Sequence, residues 1–539
     1  MQCEGGSVRS RAGGGMESCE RPSTLLLYLS VDDEWERLKT LQQIQRRPSL
    51  GMQYLMAALQ REGYPFAYRD QVVQDFSLED VIREVNERGH AIVGIHCNVV
   101  YYRKVCRYVA ALKERTNARV LVGGPGASLA SEFLQAGADC VVHGEAEFRL
   151  TTIIEALVGN GSLEGVQGIA FRSHDGAIRE TPPAAQIVDL DKLPFPYRPP
   201  ELVPLYGEEI NPVSHRPNVS IMASRGCPFR CSFCSSHEVW ESKVRTRSPE
   251  SVINEIAHVL EHWPNAYFTF VDDIFGQSAT WIEQFCRKVI DRRLRFKWFC
   301  ILHPLSFPKR RAELFPLMKA AGCNCISFGA QSSSPEILEN IRRYAHEPRE
   351  LAEAIALCKA NDIVAIITYI FGLPGDTVET LEQNIRFALE HRPHLADFHP
   401  LGVLPTSHID REYRGQGKAI TILSQDEVER RCANAFRRFY LRPEAVWLLL
   451  RTIVRDDPRH LIKLWSPVRK ALQLMLPQRE FTHPLSSAQP DRDAPLRLSL
   501  PLAADVVMAA GTTEGAAVDH RVGSRPTDPH AHSAATPSS

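Results

Sequence analysis

Ser224-Arg225-Gly226-Cys227-Pro228-Phe229-Arg230-Cys231-Ser232-Phe233-Cys234 is the stretch on which the reading of this 539-residue chain turns. Cysteines spaced four and three residues apart let one tight loop wrap three thiolates around a small inorganic body, and soft thiolates select iron-sulfur clusters, zinc or copper. Three ligands leave one metal position open, and an open position is where chemistry takes place. The competing reading is a zinc knuckle with His237 as the fourth ligand. Structural zinc sites usually come as two separated ligand pairs, a pattern this stretch does not have.

Around the cysteines, strand and helix patterns alternate. Candidate strands are residues 218–223, 267–271, 296–301, 324–328, 364–371 and 396–403. Between them lie helical faces such as Val252, Ile253, Ile256 and Leu260, then Leu314, Leu317 and Met318, then Leu351, Ile355 and Cys358. Polar groups follow the strands: Asp272-Asp273 after the second, Gly329-Ala330-Gln331-Ser332 after the fourth, and Gly372-Leu373-Pro374-Gly375-Asp376-Thr377 after the fifth. The acidic pair also reads as a helix cap, and Asp376 as an N-cap with Glu379 at N3.

The first part of the chain, residues 23–182, alternates in the same way. Apolar runs at 25–29, 91–96, 119–122 and 139–142 are separated by helical faces led by Met52, Leu78 and Val105. This predicts a doubly wound, Rossmann-like parallel sheet with a ligand crevice at the carboxyl ends of its strands. Glycine-rich and polar residues collect at those ends: Pro48-Ser49-Leu50-Gly51, His96-Cys97-Asn98, Gly123-Gly124-Pro125-Gly126 and His143-Gly144-Glu145. Taken singly, each of them reads as a plain turn.

Residues 183–216 are proline-rich and read as a semi-rigid connector. Residues 1–22, in which Met16 is an alternative start, and 486–539 read as disordered tails. A helical pattern covers 426–485. Basic and acidic residues number 63 and 64, so there is no electrostatic footprint for nucleic acid. The run 446–450 is far too short to span a bilayer. Fourteen scattered cysteines in a large chain without a secretory signal point to a reducing cytoplasm. A small-molecule substrate fits this surface best.

The cysteine triad, with Phe233 just before its last member, resembles the radical S-adenosylmethionine (SAM) superfamily. The strand-end motifs upstream, taken in order, look like the cobalamin-binding domain that precedes many radical SAM domains. Together they resemble class B radical SAM methyltransferases over roughly residues 23–480. The resemblance implies a partial (β/α)6 TIM-like barrel at 217–425 and a small helical domain at 426–485 over its mouth. It implies a 4Fe-4S cluster on Cys227, Cys231 and Cys234. SAM would lie against Phe233, Asp272, Asp273, Gln331 and Ser332. Cobalamin would lie against Ser49, Leu50, His96, Gly123, Gly124, Pro125, Gly144 and Glu145.

Three departures from the family pattern matter. Asp70-Gln71-Val72-Val73-Gln74 stands where histidine-ligating cobalamin carriers have Asp-x-His-x-x-Gly, so the lower cobalt face is expected to lack a histidine, with the nucleotide tail beside Gly123 to Gly126. Gln331 replaces a frequent glutamate, and Leu404-Pro405-Thr406 lacks the glycine of Pro-Gly-Thr. The activity implied is methylation of an unactivated carbon or phosphorus through a deoxyadenosyl radical and methylcobalamin, with a flavodoxin or ferredoxin as reductant. The alternatives are a cyclase or rearrangement enzyme with the same cofactors, and a non-catalytic cobalamin carrier or sensor.

Overall fold

Short runs of branched apolar residues form the first sheet in the computed structural model. Thr24–Tyr28 (β1), Phe66–Asp70 (β2), Ile92–His96 (β3), Arg119–Gly123 (β4) and Cys140–Val142 (β5) pair in parallel in the order β2-β1-β3-β4-β5. Ile169–Arg172 (β6) and Ile178–Glu180 (β7) extend it antiparallel. Alternate residues of β1 face opposite sides, as the period of a strand requires. Leu25 and Leu27 pack with Leu78–Arg88 (α2), Tyr102–Arg115 (α3) and Ala130–Gln135 (α4), while Leu26 packs with Leu50–Arg61 (α1) and Leu150–Val158 (α5). The result is the doubly wound, three-layer arrangement expected.

The structure describes residues 21–30, 47–159, 161–207, 217–276, 278–344, 346–404, 407–414, 416, 418–443 and 495–497. Most of the tail at 1–22, the end of the connector, Pro405, Thr406 and the region 444–485 lie outside the described residues.

The second sheet consists of six parallel strands: Asn218–Ile221 (β8), Tyr267–Phe270 (β11), Lys297–Leu302 (β12), Cys323–Gln331 (β13), Val364–Phe371 (β14) and Leu395–Pro400 (β15). They pair in simple succession from β8 to β15, an open six-stranded barrel. Between β8 and β11 lies a two-stranded ribbon of Ser224–Arg225 (β9) and Arg245–Thr246 (β10). Phe268, Phe270, Trp298 and Cys300 face outward into a core shared with Pro249–His262 (α6) and Ala279–Asp291 (α7), while Tyr267, Phe299, Cys325 and Ile366 face the barrel interior.

The helix expected to open a separate C-terminal domain, Gln425–Tyr440, belongs to the barrel core. Its Val428, Cys432, Ala435 and Phe439 are buried there, because the spacing 428, 432, 435, 439 makes one apolar face. Pro495–Arg497, in a stretch expected to be a disordered tail, pairs antiparallel with Ala419–Ser424. Strand β2 was not legible as a strand because, at the sheet edge, it is only half-buried and reads Phe-Ala-Tyr-Arg-Asp.

The connector is pinned to both sheets. Leu190 and Leu193 pack with Leu50, Tyr54 and Met222. Tyr206 donates its hydroxyl to Asp70 at 2.5 Å, and Tyr68 donates to the same oxygen at 2.9 Å. Burial nevertheless pushes Asp70 up to about 6. Arg198 reaches Glu255 of α6, which also accepts from Arg247 at 2.5 Å. Glu255 is fully buried, yet the two guanidiniums overcome its desolvation and hold it below the usual carboxylate range. Removing one charge from a buried network leaves the others uncompensated. Glu255→Gln should therefore cost about 3 to 5 kcal/mol, read as a lowered urea midpoint with an unchanged circular dichroism spectrum before the transition.

Candidate active site

The cysteine loop follows β8, at the carboxyl edge of the barrel, where parallel barrels place their chemistry. Gly226 has φ +98°, and a Cβ there would lie 2.0 Å from the carbonyl oxygen of Lys243. Only glycine allows the segment leading into β10 to close so tightly on the start of the loop. The loop is then held by backbone bonds: Ser232 N–H donates to Ile341 O at 3.1 Å, and Ile409 N–H to Ser232 O at 3.0 Å.

Cys231 is buried, and Cys227 and Cys234 are half-buried. Burial pushes the Cys227 thiol up to about 12 and Cys234 to about 11. Cys231 is raised by burial too, but Arg343 pulls it back. Such thiols give up their protons to a cation, so metal uptake here releases protons. Neither the three sulfurs nor any group of three that includes His237 lies within 4.8 Å of one another among the described residues.

Arg343 is the cation beneath this loop. Its Nη1 stands 3.9 Å from Cys231 Sγ, its Nη2 donates to Gly329 O at 3.0 Å, and its Nε donates to buried Glu347 at 2.8 Å. Phe229 stacks on His303 with ring centroids 4.0 Å apart. Burial holds that imidazole neutral, its pKa pushed down to about 2.

The acidic pair after β11 divides its roles. Asp272 is buried and accepts from the Ala223 N–H at 3.0 Å and the Ser224 hydroxyl at 2.5 Å. It neither caps a helix nor opens to the barrel mouth; it staples the start of the cysteine loop to β11. Burial pushes it from 3.8 up to about 7. Asp273 is exposed and accepts from Ser236 Oγ at 3.0 Å, beside Cys227 and Cys234, whose thiols it helps to raise. Phe233 packs against an apolar cluster that includes Ile341, Ile370 and Leu373.

Gln331 ends β13 with φ +62°, a strained value for a residue with a side chain, at a bulge in the pairing with β14. Its Nε2 lies 2.6 Å from where a Cβ on Gly329 would stand, and its buried Oε1 has no hydrogen-bond partner. A strained backbone with an orphaned buried acceptor is rare in a folded protein and calls for a specific reason. Ser332, by contrast, faces inward: its hydroxyl lies 3.3 Å from Asn384 Oδ1 and accepts the Ser334 N–H at 3.1 Å. After β14, Thr377 rather than Asp376 caps the next helix, with Thr380 closing the box. Asp376 turns back to accept from the Gly372 and Leu373 amides at 2.9 and 2.8 Å.

In the first sheet, Gly123, Gly124 and Pro125 stand at the carboxyl end of β4, where the crevice is expected. Gly126 is required by close approach, since a Cβ would lie 2.6 Å from Cys97 Sγ. His96 stands beside them, bonded through Nδ1 to the Tyr101 hydroxyl at 2.7 Å. Burial lowers it to about 4, so it is neutral. Gly144 is exposed.

Three residues expected at this crevice are otherwise committed. Ser49 caps α1, Leu50 is buried against Met222, and Glu145 is consumed by ion pairs. Glu145 accepts from Arg225, from Arg245 at 2.6 Å and from the Ile187 N–H at 2.7 Å, and Glu147 accepts from Arg225 at 2.5 Å. Trp240 and Tyr54 lie against the Arg225 guanidinium. Arg225 is two residues from Cys227. The segment after β5 of the first sheet is therefore bonded directly to the start of the cysteine loop of the second.

The model of the radical SAM superfamily matches residues 221–388, and that of the B12 binding domain matches residues 45–154. This chain is a radical SAM protein with a B12-binding domain. It is 28% identical over 345 residues to an uncharacterized methyltransferase of Pyrococcus horikoshii, covering 63% of this chain and 73% of the relative. It is 26% identical over 418 residues to the anaerobic magnesium-protoporphyrin IX monomethyl ester cyclase of Rubrivivax gelatinosus, covering 73% and 74%. The solved structure of the radical SAM methyltransferase TsrM from Kitasatospora setae, with cobalamin and a [4Fe-4S] cluster bound, superposes with TM-score 0.61 at 19% identity, covering 74% of this chain and 78% of that one. The two-domain radical SAM fold is thus shared.

Arg225, Arg245, Glu147 and Arg343 were not singled out in the sequence. An arginine in a polar loop reads as solvated, and only the tertiary fold shows that Arg225 and Arg343 are buried. Two outcomes follow. Gly226→Ala should abolish iron uptake, read as loss of the broad visible absorption after anaerobic reconstitution, while the first sheet stays folded. Asp272 is protonated in the fold over a range where the unfolded chain is ionised. Its contribution is complete below about pH 4 and is lost as the pH rises through about 7. A thermal melt series of Asp272→Asn should lack that slope.

Proposed function

We propose that this chain is a cobalamin-dependent radical SAM methyltransferase acting on a small molecule. The observation that carries the reading is the direct bonding of the segment after β5 to the start of the cysteine loop through Glu145, Glu147 and Arg225. It supports a fixed relation between the B12-binding domain and the cysteine loop, as a reaction using both requires. The donor set fits the expected groups: three thiols on one loop, an orphaned carbonyl at Gln331, and a rim whose Gly126 has no room for a side chain.

When bound, the cluster with SAM supplies a deoxyadenosyl radical and the cobalamin supplies the methyl group. The chain's own part is placement. Cys227, Cys231 and Cys234 would hold the cluster. Asp273 and the Gln331 carbonyl would accept hydrogen bonds from SAM, and Phe233 would line its site. Arg343 places a fixed positive charge beside Cys231. Tyr101 orients the neutral His96 beside Gly124, where the two would line a bound cobalamin, and the Asp70 loop, whose carboxylate is held by Tyr68 and Tyr206, would offer it no histidine.

Among the described residues no helix is long and apolar enough to cross a membrane. A cytoplasmic setting with a flavodoxin or ferredoxin as electron donor belongs to the proposal. The likeness to the cyclase of Rubrivivax gelatinosus favours a second reading, a cobalamin-dependent rearrangement without methyl transfer.

Anaerobic reconstitution with methyl-labelled SAM and candidate metabolites separates the two. Label in a product together with deoxyadenosine supports methyl transfer; deoxyadenosine with altered but unlabelled substrate supports the second reading. Cys231→Ala should lose the iron-sulfur absorption and SAM cleavage together, whereas Cys325→Ala should keep both. Gln331→Ala should weaken SAM binding by up to about tenfold, the worth of one hydrogen bond, measured by equilibrium dialysis.

A further inference from the structure

The last turn of α6 carries His258, Glu261 and His262, at positions i, i+3 and i+4. Residues so spaced share one helix face. One ligand atom from each lies within 4.8 Å of the others, and all three residues are exposed. The set belongs to neither the cysteine loop nor the crevice; it closes α6, just before the chain enters β11.

Several features prepare these side chains for a metal rather than for solvent alone. His262 Nδ1 lies 3.0 Å from the His258 carbonyl oxygen. Donation along that contact fixes the tautomer and turns a bare Nε2 outward, the arrangement that metal-binding histidines use. The two rings meet edge to face at 4.9 Å. Phe195 of the connector leans on His258 at 5.7 Å, limiting its rotation. Glu261 stands 3.8 Å from His258 Nδ1, too far for a hydrogen bond, a gap that an ion bound to both would close. The site also sits at a helix C-terminus, where the aligned carbonyls favour a cation.

We infer that His258, Glu261 and His262 form a surface site for a divalent transition metal such as zinc. Two imidazoles and one carboxylate suit zinc, which fills its remaining position with water. The bound ion locks the final turn of α6. Phe195 rests on that turn, and Arg198 grips Glu255 one turn earlier, so the ion stiffens the helix face on which the connector docks.

The test uses the full chain with its iron-sulfur cluster reconstituted, so that the cysteine loop is already occupied. Zinc is titrated in competition with a chromophoric chelator. The wild-type chain is expected to take up one zinc ion. His258→Ala and His262→Ala should each bind it at least about tenfold more weakly, and zinc should raise the melting temperature of the wild type but not of these variants. Because all three positions are exposed, the variants should fold; Glu261→Gln, which keeps shape and removes charge, provides a milder loss if an alanine variant does not. Equal zinc uptake by wild type and folded variants overturns the site. So does a cobalt(II) spectrum with thiolate-to-metal charge transfer, which would place the ion on cysteine instead.

Discussion

Arg225 lies between two carboxylates of the other sheet, and the placement of the cysteine loop depends on that position. Its guanidinium is buried, paired with Glu145 and Glu147, and bounded by Tyr54 and Trp240. Burying these charges is expensive, and such networks often add little net stability compared with apolar packing. What they add is direction. An apolar contact tolerates sliding, whereas a guanidinium shared by two carboxylates is satisfied in one relative orientation. Because β9 carries Arg225 and runs straight into Gly226 and Cys227, orientation of the sheets and of the loop are set together.

Much of the fold could be read from the sequence because it rests on periodicity. All six barrel strands and four of the five parallel strands of the first sheet were legible as apolar runs. The edge strand β2 was not, since Phe66, Ala67, Tyr68 and Arg69 are only half-buried and carry no clean apolar run. The role of the helix at Gln425–Tyr440 was also missed, because periodicity shows that a helix has an apolar face but not which core receives it.

The site was legible where its chemistry is local and obscure where it is tertiary. The cysteine spacing is self-contained, and so is the turn at Gly123 to Gly126. Asp272 and Asp273 are adjacent in sequence yet face different surroundings, one stapling backbone amides and the other beside the thiols. The alternation of strand ends separates them, and sequence alone could not say which was which. Glu145 followed a rim glycine and looked like part of the crevice; its true partners are 80 and 100 residues away.

The connector is held at its middle by Arg198 on Glu255 and, eight residues on, by Tyr206 on Asp70. A tether anchored in this way does not let its two modules drift and find each other again; it sets a high, fixed effective concentration of one for the other. Traffic in such a protein is then carried by the small molecules. Each must enter and leave through a stationary frame, without the swing of a domain to admit it.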